Sequence, residues 1–156
     1  MTGRGSSPKY WSQIAGNKAD WRESDALLAE QYRRVHLDLI TRWANIGGSR
    51  RILKTDLFAE GVDPSRAFLW EMLKTNSNIL GIDLSAQVTC EARTKAEQHA
   101  PNAVAKYVNC NVRHLPFTDN SFDVIVSDST LDHFQHKNDI VVSLLTHQQV
   151  STLVLC

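Results

Sequence analysis

The chain has 156 residues, of which 42% are hydrophobic and 22% are charged, a composition typical of one globular domain with its own core. Lys and Arg together number 17, as do Asp and Glu, so the formal net charge is zero. A zero net charge gives no electrostatic reason to expect nucleic acid or an anionic membrane as the partner. No stretch approaches the ~18 apolar residues of a membrane helix, and we expect a cytoplasmic protein.

The cysteines are few and far apart. The sequence contains three, Cys90, Cys110 and Cys156, and no CxxC pair. An odd number of widely spaced cysteines argues against a disulfide framework and against a zinc site. We expect Cys90 to be a small buried residue on a helix and Cys110 to be a buried residue in a strand.

The chain divides at about residue 23. Residues 1–23 are expected to be a loose lead-in, and their only anchors are aromatic: Tyr10, Trp11 and Trp21. Residues 24–156 are predicted to form a single domain, since apolar patterns follow one another through this part of the chain without a linker-like interruption.

The domain opens with a predicted helix over residues 24–46. Ser24 is a suitable N-cap, and the pair Gly47 and Gly48 ends the helix. Apolar residues at spacings of three and four mark the face that we expect to be buried: Leu28, Tyr32, Val35, Leu39 and Trp43.

Strands and helices then alternate to the end of the chain. Strands are predicted at residues 51–55, 78–83, 106–110, 122–127 and 152–155. Helices are predicted from Asp63 and Pro64 onward, from Ser85 to about His99, and from Asp139 to Val150. This alternation predicts an α/β fold in which a parallel sheet is covered by helices and each crossover is right-handed.

Ligands of an open parallel sheet bind beyond the carboxyl ends of its strands. The residues at these ends are Thr55, Asp56, Leu57, Phe58, Asp83, Leu84, Ser85, Asn111, Val112, Ser127 and Asp128. An acid that closes the second strand, as Asp83 does, can accept hydrogen bonds from both hydroxyls of a ribose, although it can equally cap the next helix. The amide of Asn111 suits an adenine edge, and a simple turn residue is the alternative.

Several of these segments resemble a known family. Residues 111–117 (NVRHLPF) and 119–125 (DNSFDVI) are similar to a segment of class I methyltransferases of the methyltransferase-11 type. Residues 79–85 (ILGIDLS) resemble the second-strand motif of that family, and residues 129–134 (STLDHF) resemble the segment after its fourth strand. The resemblance covers about residues 51–135, in the family's order and spacing.

The resemblance implies a Rossmann-like three-layer sandwich with a mostly parallel sheet that binds S-adenosylmethionine. Asp83 would hold the ribose, and Val112 would pack on the adenine ring. Asn111 stands where the family usually has an aspartate, and its amide oxygen would accept from the adenine amine. Ser127 would lie near the methionine end of the cofactor.

The resemblance also places His133 at the acceptor pocket, where it can serve as a general base; a helix N-terminal residue without chemistry is the alternative. The helix over residues 24–46 would form part of a lid. His133 and His136 share a face if both are helical, and Asp128 and Asp132 are near them, but no further ligand cluster supports a metal site and we predict none.

Two features depart from the family's pattern. The loop after the first strand, residues 54–61 (KTDLFAEG), keeps only Gly61 where the family is glycine-rich, so that its backbone can approach the cofactor. Asp56 can pair with the ammonium group of the cofactor, but Leu57 and Phe58 are bulky, so either the loop takes another path or cofactor binding is weak. The family's Pro-Gly-Gly turn and last strands do not follow residue 147, which implies a truncated chain and an incomplete sheet edge.

The expected function is S-adenosylmethionine-dependent methyl transfer to a small-molecule acceptor. A non-catalytic binding or regulatory module on the same sheet is the alternative, and the loop from Asp56 to Glu60 and the missing C-terminal strands favour it. A nicotinamide-dependent oxidoreductase ranks last because G-x-G-x-x-G is absent after the first strand. The identity of the acceptor and the oligomeric state do not follow from the sequence.

Overall fold

The computed structural model describes residues 7–17, 26–44, 50–75, 78–101, 106–151 and 154–155. The helices are α1 (Pro8–Gly16), α2 (Ala26–Ala44), α3 (Phe58–Gly61), α4 (Leu69–Thr75), α5 (Ala86–His99) and α6 (Lys137–Val150). The strands are β1 (Ile52–Lys54), β2 (Ile79–Asp83), β3 (Lys106–Asn109), β4 (Val124–Val126) and β5 (Val154–Leu155). A single 3-10 turn, Leu131–His133, follows β4. Within these residues, no helix is long and apolar enough to span a membrane.

The five strands form one sheet in the order β3-β2-β1-β4-β5, and every pairing is parallel. In the centre of the sheet, Leu53 of β1 lies opposite Leu80 of β2 and Ile125 of β4. The chain builds the sheet outward from β1 to β3, then crosses back to place β4 on the other side of β1. The strand order therefore reverses between β1 and β4, and a ligand crevice is expected at this switch point.

Helices cover both faces of the sheet, which confirms the predicted α/β three-layer architecture. One core cluster joins one sheet face to α1, α2, α4 and α5, with Ile52, Phe68 and Val124 among its members. The second cluster joins the other face to α6 through Leu53, Ile125 and Val150. Ile52, Leu53 and Ile125 are fully buried. The side chains of Ile52 and Leu53, adjacent in β1, pack into the cores on opposite faces of the sheet.

The expectation of a loose lead-in is wrong for residues 8–16, which form α1. Pro8 stands at the start of this helix, where the missing N–H has no cost. Ala15 is fully buried in the core, and Ser12 Oγ lies 3.0 Å from Ser85 Oγ. Nine residues are too few to show a sustained period, and the helix is held by its packing on α5. Trp21 lies outside the described residues.

The helix over residues 24–46 is confirmed as α2, but its predicted buried face is wrong. The buried residues are Ala29, Ile40 and Ala44. Leu28 and Trp43 are 68% and 63% exposed, Val35 is exposed, and Tyr32 and Leu39 are half-buried. The buried face thus carries two alanines, and the larger apolar residues lie beside it. Ser24, Gly47 and Gly48 fall outside the described residues.

The helix predicted from Asp63 and Pro64 does not begin there. Residues 63–67 form a turn, in which the Ala67 N–H donates to the Pro64 carbonyl at 3.2 Å. The helix in this region, α4, begins at Leu69, whose N–H donates to Glu60 Oε1 at 3.2 Å. A side chain nine residues away thus satisfies one of the free N–H groups at the start of α4.

The start of α5 is confirmed: the Val88 N–H donates to Ser85 Oγ at 3.3 Å, as expected of an N-cap serine. The prediction for Cys90 is wrong, because the buried face of α5 consists of Val88, Thr89, Ala92 and Ala96, and Cys90 is exposed. Cys110 follows β3 directly and is half-buried.

Candidate functional site

A cleft opens at the carboxyl ends of β1, β2 and β3, beside the point where the strand order reverses. It brings together seven of the eight predicted cofactor residues and His133: Thr55, Asp56, Phe58, Asp83, Leu84, Asn111, Val112 and His133. Four residues that the sequence did not single out for this site complete the wall: Trp11, Val88, Thr130 and Phe134. We call it the strand-end cleft.

Asp83 closes β2 and faces the strand-end cleft. Its Oδ2 accepts the Leu57 N–H at 3.1 Å, and its Oδ1 accepts the Ser85 N–H at 2.7 Å. Burial outweighs these hydrogen bonds and raises the pKa of the carboxyl group. A carboxylate offers about four lone-pair positions, so both oxygens remain able to accept from a ligand while the backbone fixes their orientation.

Asp56 lies next to Asp83 in the same wall. Its Oδ1 accepts the Phe58 N–H at 2.7 Å. Burial raises its pKa to about 8, and the nearby Asp83 and Glu60 carboxylates act in the same direction, against the opposing effect of Lys54. A nearby cation stabilises the ionised form of such a carboxyl group, which is desolvated and close to other acids.

An ion pair that the sequence did not suggest supports this wall from below. Lys54 Nζ lies 3.0 Å from Glu60 Oε2, both side chains are fully buried, and the ammonium also donates to the Asp56 carbonyl. Burial alone would lower the pKa of Lys54, but Glu60, Asp56 and Asp128 together raise it. Lys54 is therefore a fixed positive charge behind a cleft lined with carboxylates.

The bulky residues of the loop over residues 54–61 do not block the cleft. Leu57 is fully buried, and its side chain turns away to pack over Gly81 of β2. A Cβ at Gly81 would lie 2.7 Å from Leu57 Cδ2, so the absence of a side chain at Gly81 makes room for Leu57. Of the two bulky residues only Phe58 lines the cleft, and the loop takes a path in which Leu57 belongs to the core.

Asn111 lines the cleft, but its oxygen is already engaged. Asn111 Oδ1 accepts the Arg113 backbone N–H at 3.0 Å and Arg113 Nε at 3.2 Å. The arrangement is an Asx-type turn, which is the alternative that the sequence left open. The amide NH2 group is then the part of Asn111 suited to a ligand, as a donor to a ring nitrogen.

Ser127 does not join the other predicted residues. It is buried, and it lines a separate groove under α2 with His36, Leu39 and Trp43. Ser127 was predicted to bind the cofactor together with the other seven residues, but it does not line the strand-end cleft. Thr130 takes its place at the end of β4: it lines the cleft and donates its Oγ1 hydrogen bond to the Thr55 carbonyl at 2.6 Å.

A second, larger cavity of about 450 Å³ adjoins the cleft, and we call it the outer cavity. Its wall shares Trp11, Asp56, Phe58 and His133 with the strand-end cleft. The remaining wall includes Tyr10, Tyr32, Arg66, Asp63, Asp128 and Asp132. A molecule in the outer cavity would therefore lie in contact with the same four residues as a molecule in the cleft.

A hydrogen-bonded network ties α2 to the outer cavity. The Tyr32 hydroxyl donates to Asp128 Oδ2, and His36 Nε2 lies 3.4 Å from Asp128 Oδ1. His36 Nδ1 lies 2.8 Å from the Tyr32 carbonyl, which can only accept, so Nδ1 donates there and Nε2 faces the Asp128 carboxylate, an arrangement that favours the protonated imidazole. The Asp128 hydrogen bond raises the pKa of His36, and hydrogen bonds from His36 and Tyr32 hold the pKa of Asp128 low despite its burial.

His133 lies between the two cavities. Its ring contacts Trp11, with centroids 4.6 Å apart, and it belongs to the 3-10 turn Leu131–His133. His136 is exposed and precedes α6 as its N-cap, so the two histidines do not share one helical face. Among the described residues, no three His, Cys, Asp or Glu side chains come together as a metal-binding group.

The residues that sequence reasoning missed come from two places. Trp11 and Tyr10 belong to α1, far in sequence from the strands, although both were visible as aromatic anchors of the lead-in. Lys54 and Glu60 flank the cleft residues directly, and a charged residue inside an otherwise apolar strand was the available signal for Lys54.

Comparisons with known proteins agree on one fold. The chain is similar to magnesium protoporphyrin IX methyltransferase (ChlM) from Synechocystis PCC 6803, solved with bound SAM, at 13% identity and a TM-score of 0.62, over 80% of this chain and 56% of that one. It is similar to the N-methyltransferase NodS from Bradyrhizobium japonicum, solved with S-adenosyl-L-homocysteine, at 14% identity and a TM-score of 0.60, over 76% and 56%. It is also similar to the PH0226 protein from Pyrococcus horikoshii, at 19% identity and a TM-score of 0.61, over 83% of this chain and 57% of that one.

These likenesses show the fold, and the chain spans about half the length of the solved chains it matches. The search of curated protein sequences found no match. A family model described as a methyltransferase domain matches residues 61–147, more than half of the chain, beginning at the last residue of the loop over residues 54–61. The chain belongs to the methyltransferase domain family.

Proposed function

We propose that this protein transfers a methyl group from S-adenosylmethionine to a small-molecule acceptor. The observation that carries the proposal is the convergence of Asp56, Asp83, Asn111 and Val112 on the strand-end cleft of a sheet with the family's topology. These residues come from the ends of three different strands, and only the fold makes them neighbours.

The chemistry of the cleft suits each part of the cofactor. In this proposal the free lone pairs of Asp83 would accept from two ribose hydroxyls, and Val112, which lines the cleft, would pack on the adenine ring. Asp56 is a desolvated acid that a cationic ammonium group would stabilise in its ionised form. When bound, the cofactor supplies an electrophilic methyl group, so the protein's task is to position the acceptor and to exclude water.

The outer cavity is the place for the acceptor in this proposal, since it meets the cleft at Trp11, Phe58 and His133. His133 is the candidate general base, because its ring lies in both walls and an imidazole can take a proton from an acceptor. α2 contributes Tyr32 and His36, and both side chains contact Asp128 in or beside the outer cavity. These contacts fit the lid role proposed for α2.

Calorimetry with S-adenosylmethionine and S-adenosylhomocysteine tests the proposal directly. We expect both to bind, and we expect Asp83→Ala to weaken binding at least about a hundredfold, since it removes a charged acceptor of two hydrogen bonds. Asp119→Ala is the matched control, because Asp119 is exposed in a turn and lines neither cavity. A folded chain that binds neither compound would overturn the methyltransferase proposal and favour the non-catalytic alternative.

A further inference from the structure

The outer cavity has an uneven charge. Besides Asp56, whose pKa is raised to about 8, three of the described residues that line it are aspartates, Asp63, Asp128 and Asp132, against one arginine, Arg66. His36 and the Tyr32 hydroxyl hold Asp128, and Ser65 Oγ donates to Asp63, so hydrogen bonds keep two of these carboxylates in place. The excess of negative charge in a partly enclosed space raises the local concentration of a cationic ligand.

Aromatic rings form much of the rest of the wall, from Tyr10, Trp11, Tyr32 and Phe58. One of these rings already contacts a cationic side chain, since the Arg66 guanidinium lies 4.1 Å from the centroid of the Tyr32 ring. Rings of this kind attract a desolvated cation through their negative faces, and groups of them recognise ammonium ions. An anionic or neutral ligand would instead desolvate the carboxylates without pairing them.

From these observations we infer that the methyl acceptor of this protein is an amine that enters the outer cavity as an ammonium ion. The inference rests on the proposed function and names the substrate class of the same site. The ammonium group lies among Asp132, Asp128 and the aromatic rings, and the apolar part of the molecule contacts Ile14 and Ala59 on the remaining wall.

The reaction balances with groups already on the page. His133 takes one proton from the ammonium, which leaves a neutral amine with a lone pair. That nitrogen forms a bond to the methyl carbon of S-adenosylmethionine while the carbon–sulfur bond breaks and its electron pair goes to sulfur. The products are a methylated ammonium ion, a neutral thioether and a protonated His133, which returns its proton to solvent.

Binding of a charged probe and its uncharged isostere separates charge recognition from shape. Choline and 3,3-dimethylbutan-1-ol have the same outline and differ by one positive charge, so we would titrate each into the full chain with S-adenosylhomocysteine present. Chemical shifts of the Trp11 indole N–H report binding at the shared wall. We expect choline to bind at least tenfold more tightly, and its affinity to fall as salt is added.

Two variants locate the effect. Asp132→Asn should weaken choline binding several-fold and leave the alcohol unchanged, because Asp132 lies in an exposed turn whose loss of charge does not disturb the core. Asp119→Asn, a like change outside both cavities, should alter neither. Equal affinities for choline and the alcohol, or equal responses to the two substitutions, would overturn the inference.

The two proposals fail separately. The choline titration is repeated without S-adenosylhomocysteine, so that it reads the outer cavity alone. If the chain binds S-adenosylhomocysteine but does not distinguish choline from the alcohol, the cofactor proposal stands and the proposal of an amine acceptor is overturned. If the chain distinguishes choline from the alcohol but does not bind S-adenosylhomocysteine, the cation site stands and the proposal of methyl transfer is overturned.

Discussion

The ring of Trp11 lies against the ring of His133, with centroids 4.6 Å apart and planes at 66°. The same indole contacts Phe58 at 6.0 Å, in an edge-to-face arrangement. α1 thereby contributes a wall to the strand-end cleft, and it is anchored there by Ser12 on Ser85 and by the buried Ala15. A segment outside the family match thus supplies a wall to both cavities.

Replacing Trp11 with alanine should weaken the binding of S-adenosylhomocysteine. The substitution removes one wall of the cleft and its ring contacts with Phe58 and His133. A partly buried indole contributes about 1–2 kcal/mol in such contacts, so the dissociation constant should rise roughly five- to thirtyfold. Calorimetry at constant pH measures the change.

Trp43→Ala is the control for this experiment, because Trp43 is 63% exposed on α2 and lines neither cavity. We expect its dissociation constant to match that of the unmodified chain. Unchanged or tighter binding in Trp11→Ala would show that α1 does not form part of the ligand site.

The buried ion pair should dominate the stability of the loop. Glu60→Gln leaves the Lys54 ammonium without its charged partner in a site where both side chains are fully buried. Removing one partner of a buried pair costs about 3–5 kcal/mol, so urea unfolding should show a loss of that size. The double change Lys54→Met with Glu60→Gln should recover part of it, since no unpaired charge remains and the amide oxygen can still accept the Leu69 N–H.

Glu71→Gln provides the matched surface case. Glu71 pairs with Lys74 at 2.7 Å, but both side chains are largely exposed, at 41% and 61%. Exposed pairs contribute about 0–1 kcal/mol, so unfolding should hardly change. Equal losses from Glu60→Gln and Glu71→Gln would mean that Lys54 reaches water by another route.

The layered fold was predictable because it depends on a repeated pattern. Each strand from β1 to β4 carries an apolar run bounded by polar or glycine residues, and alternation with helices implies parallel pairing. The buried face of α2 was not predictable in this way. Spacings of three and four allow two adjacent faces, and packing chose the one with Ala29 and Ala44 over the one with Leu28 and Trp43.

The candidate site was predictable where the strand ends define it. Thr55, Asp83 and Asn111 follow three strands and meet in one cleft, as the topology requires. Trp11 was not predictable, because α1 reaches the cleft by tertiary packing alone. The path of Leu57 depends on the space that the missing side chain leaves over Gly81 in the next strand, and no local pattern of the sequence reveals this contact.

Binding of S-adenosylhomocysteine should release protons from Asp56. Burial raises the pKa of this carboxyl group to about 8, so most of it is protonated at pH 7 in the free protein. A bound ammonium group favours the ionised form, so binding expels close to one proton and affinity rises up to about tenfold per pH unit between pH 6 and 8. Calorimetry in phosphate and in Tris, whose ionisation enthalpies differ, measures the number of protons released.

Asp56→Asn serves as the comparison, because it removes the titrating group and keeps an oxygen that can accept the Phe58 N–H. In that variant the binding enthalpy should depend much less on the buffer. Buffer-independent binding in the unmodified chain would place the cofactor's ammonium group away from Asp56.

His147 should make the protein less stable in acid. It is fully buried in α6, and neither of its ring nitrogens has a hydrogen-bond partner among the described residues. Burial lowers its pKa to about 4 from the ordinary 6.5. Between these values the unfolded chain holds a proton that the folded chain does not, so stability is fully present above pH ~6.5 and falls as the pH drops toward 4.

Urea unfolding at pH 7 and pH 4.5 measures this contribution. A lowered pKa of this size costs roughly 2–3 kcal/mol by pH ~4.5, so the unmodified chain should lose that much more stability than His147→Leu over the same interval. His114→Gln is the control, since His114 is exposed and its loss should leave the pH dependence unchanged. Parallel losses in the unmodified chain and His147→Leu would mean that the imidazole is hydrated or paired in the folded state. The acid sensitivity would then belong to a carboxyl group whose pKa is lowered on folding, such as Asp123 beside Arg51.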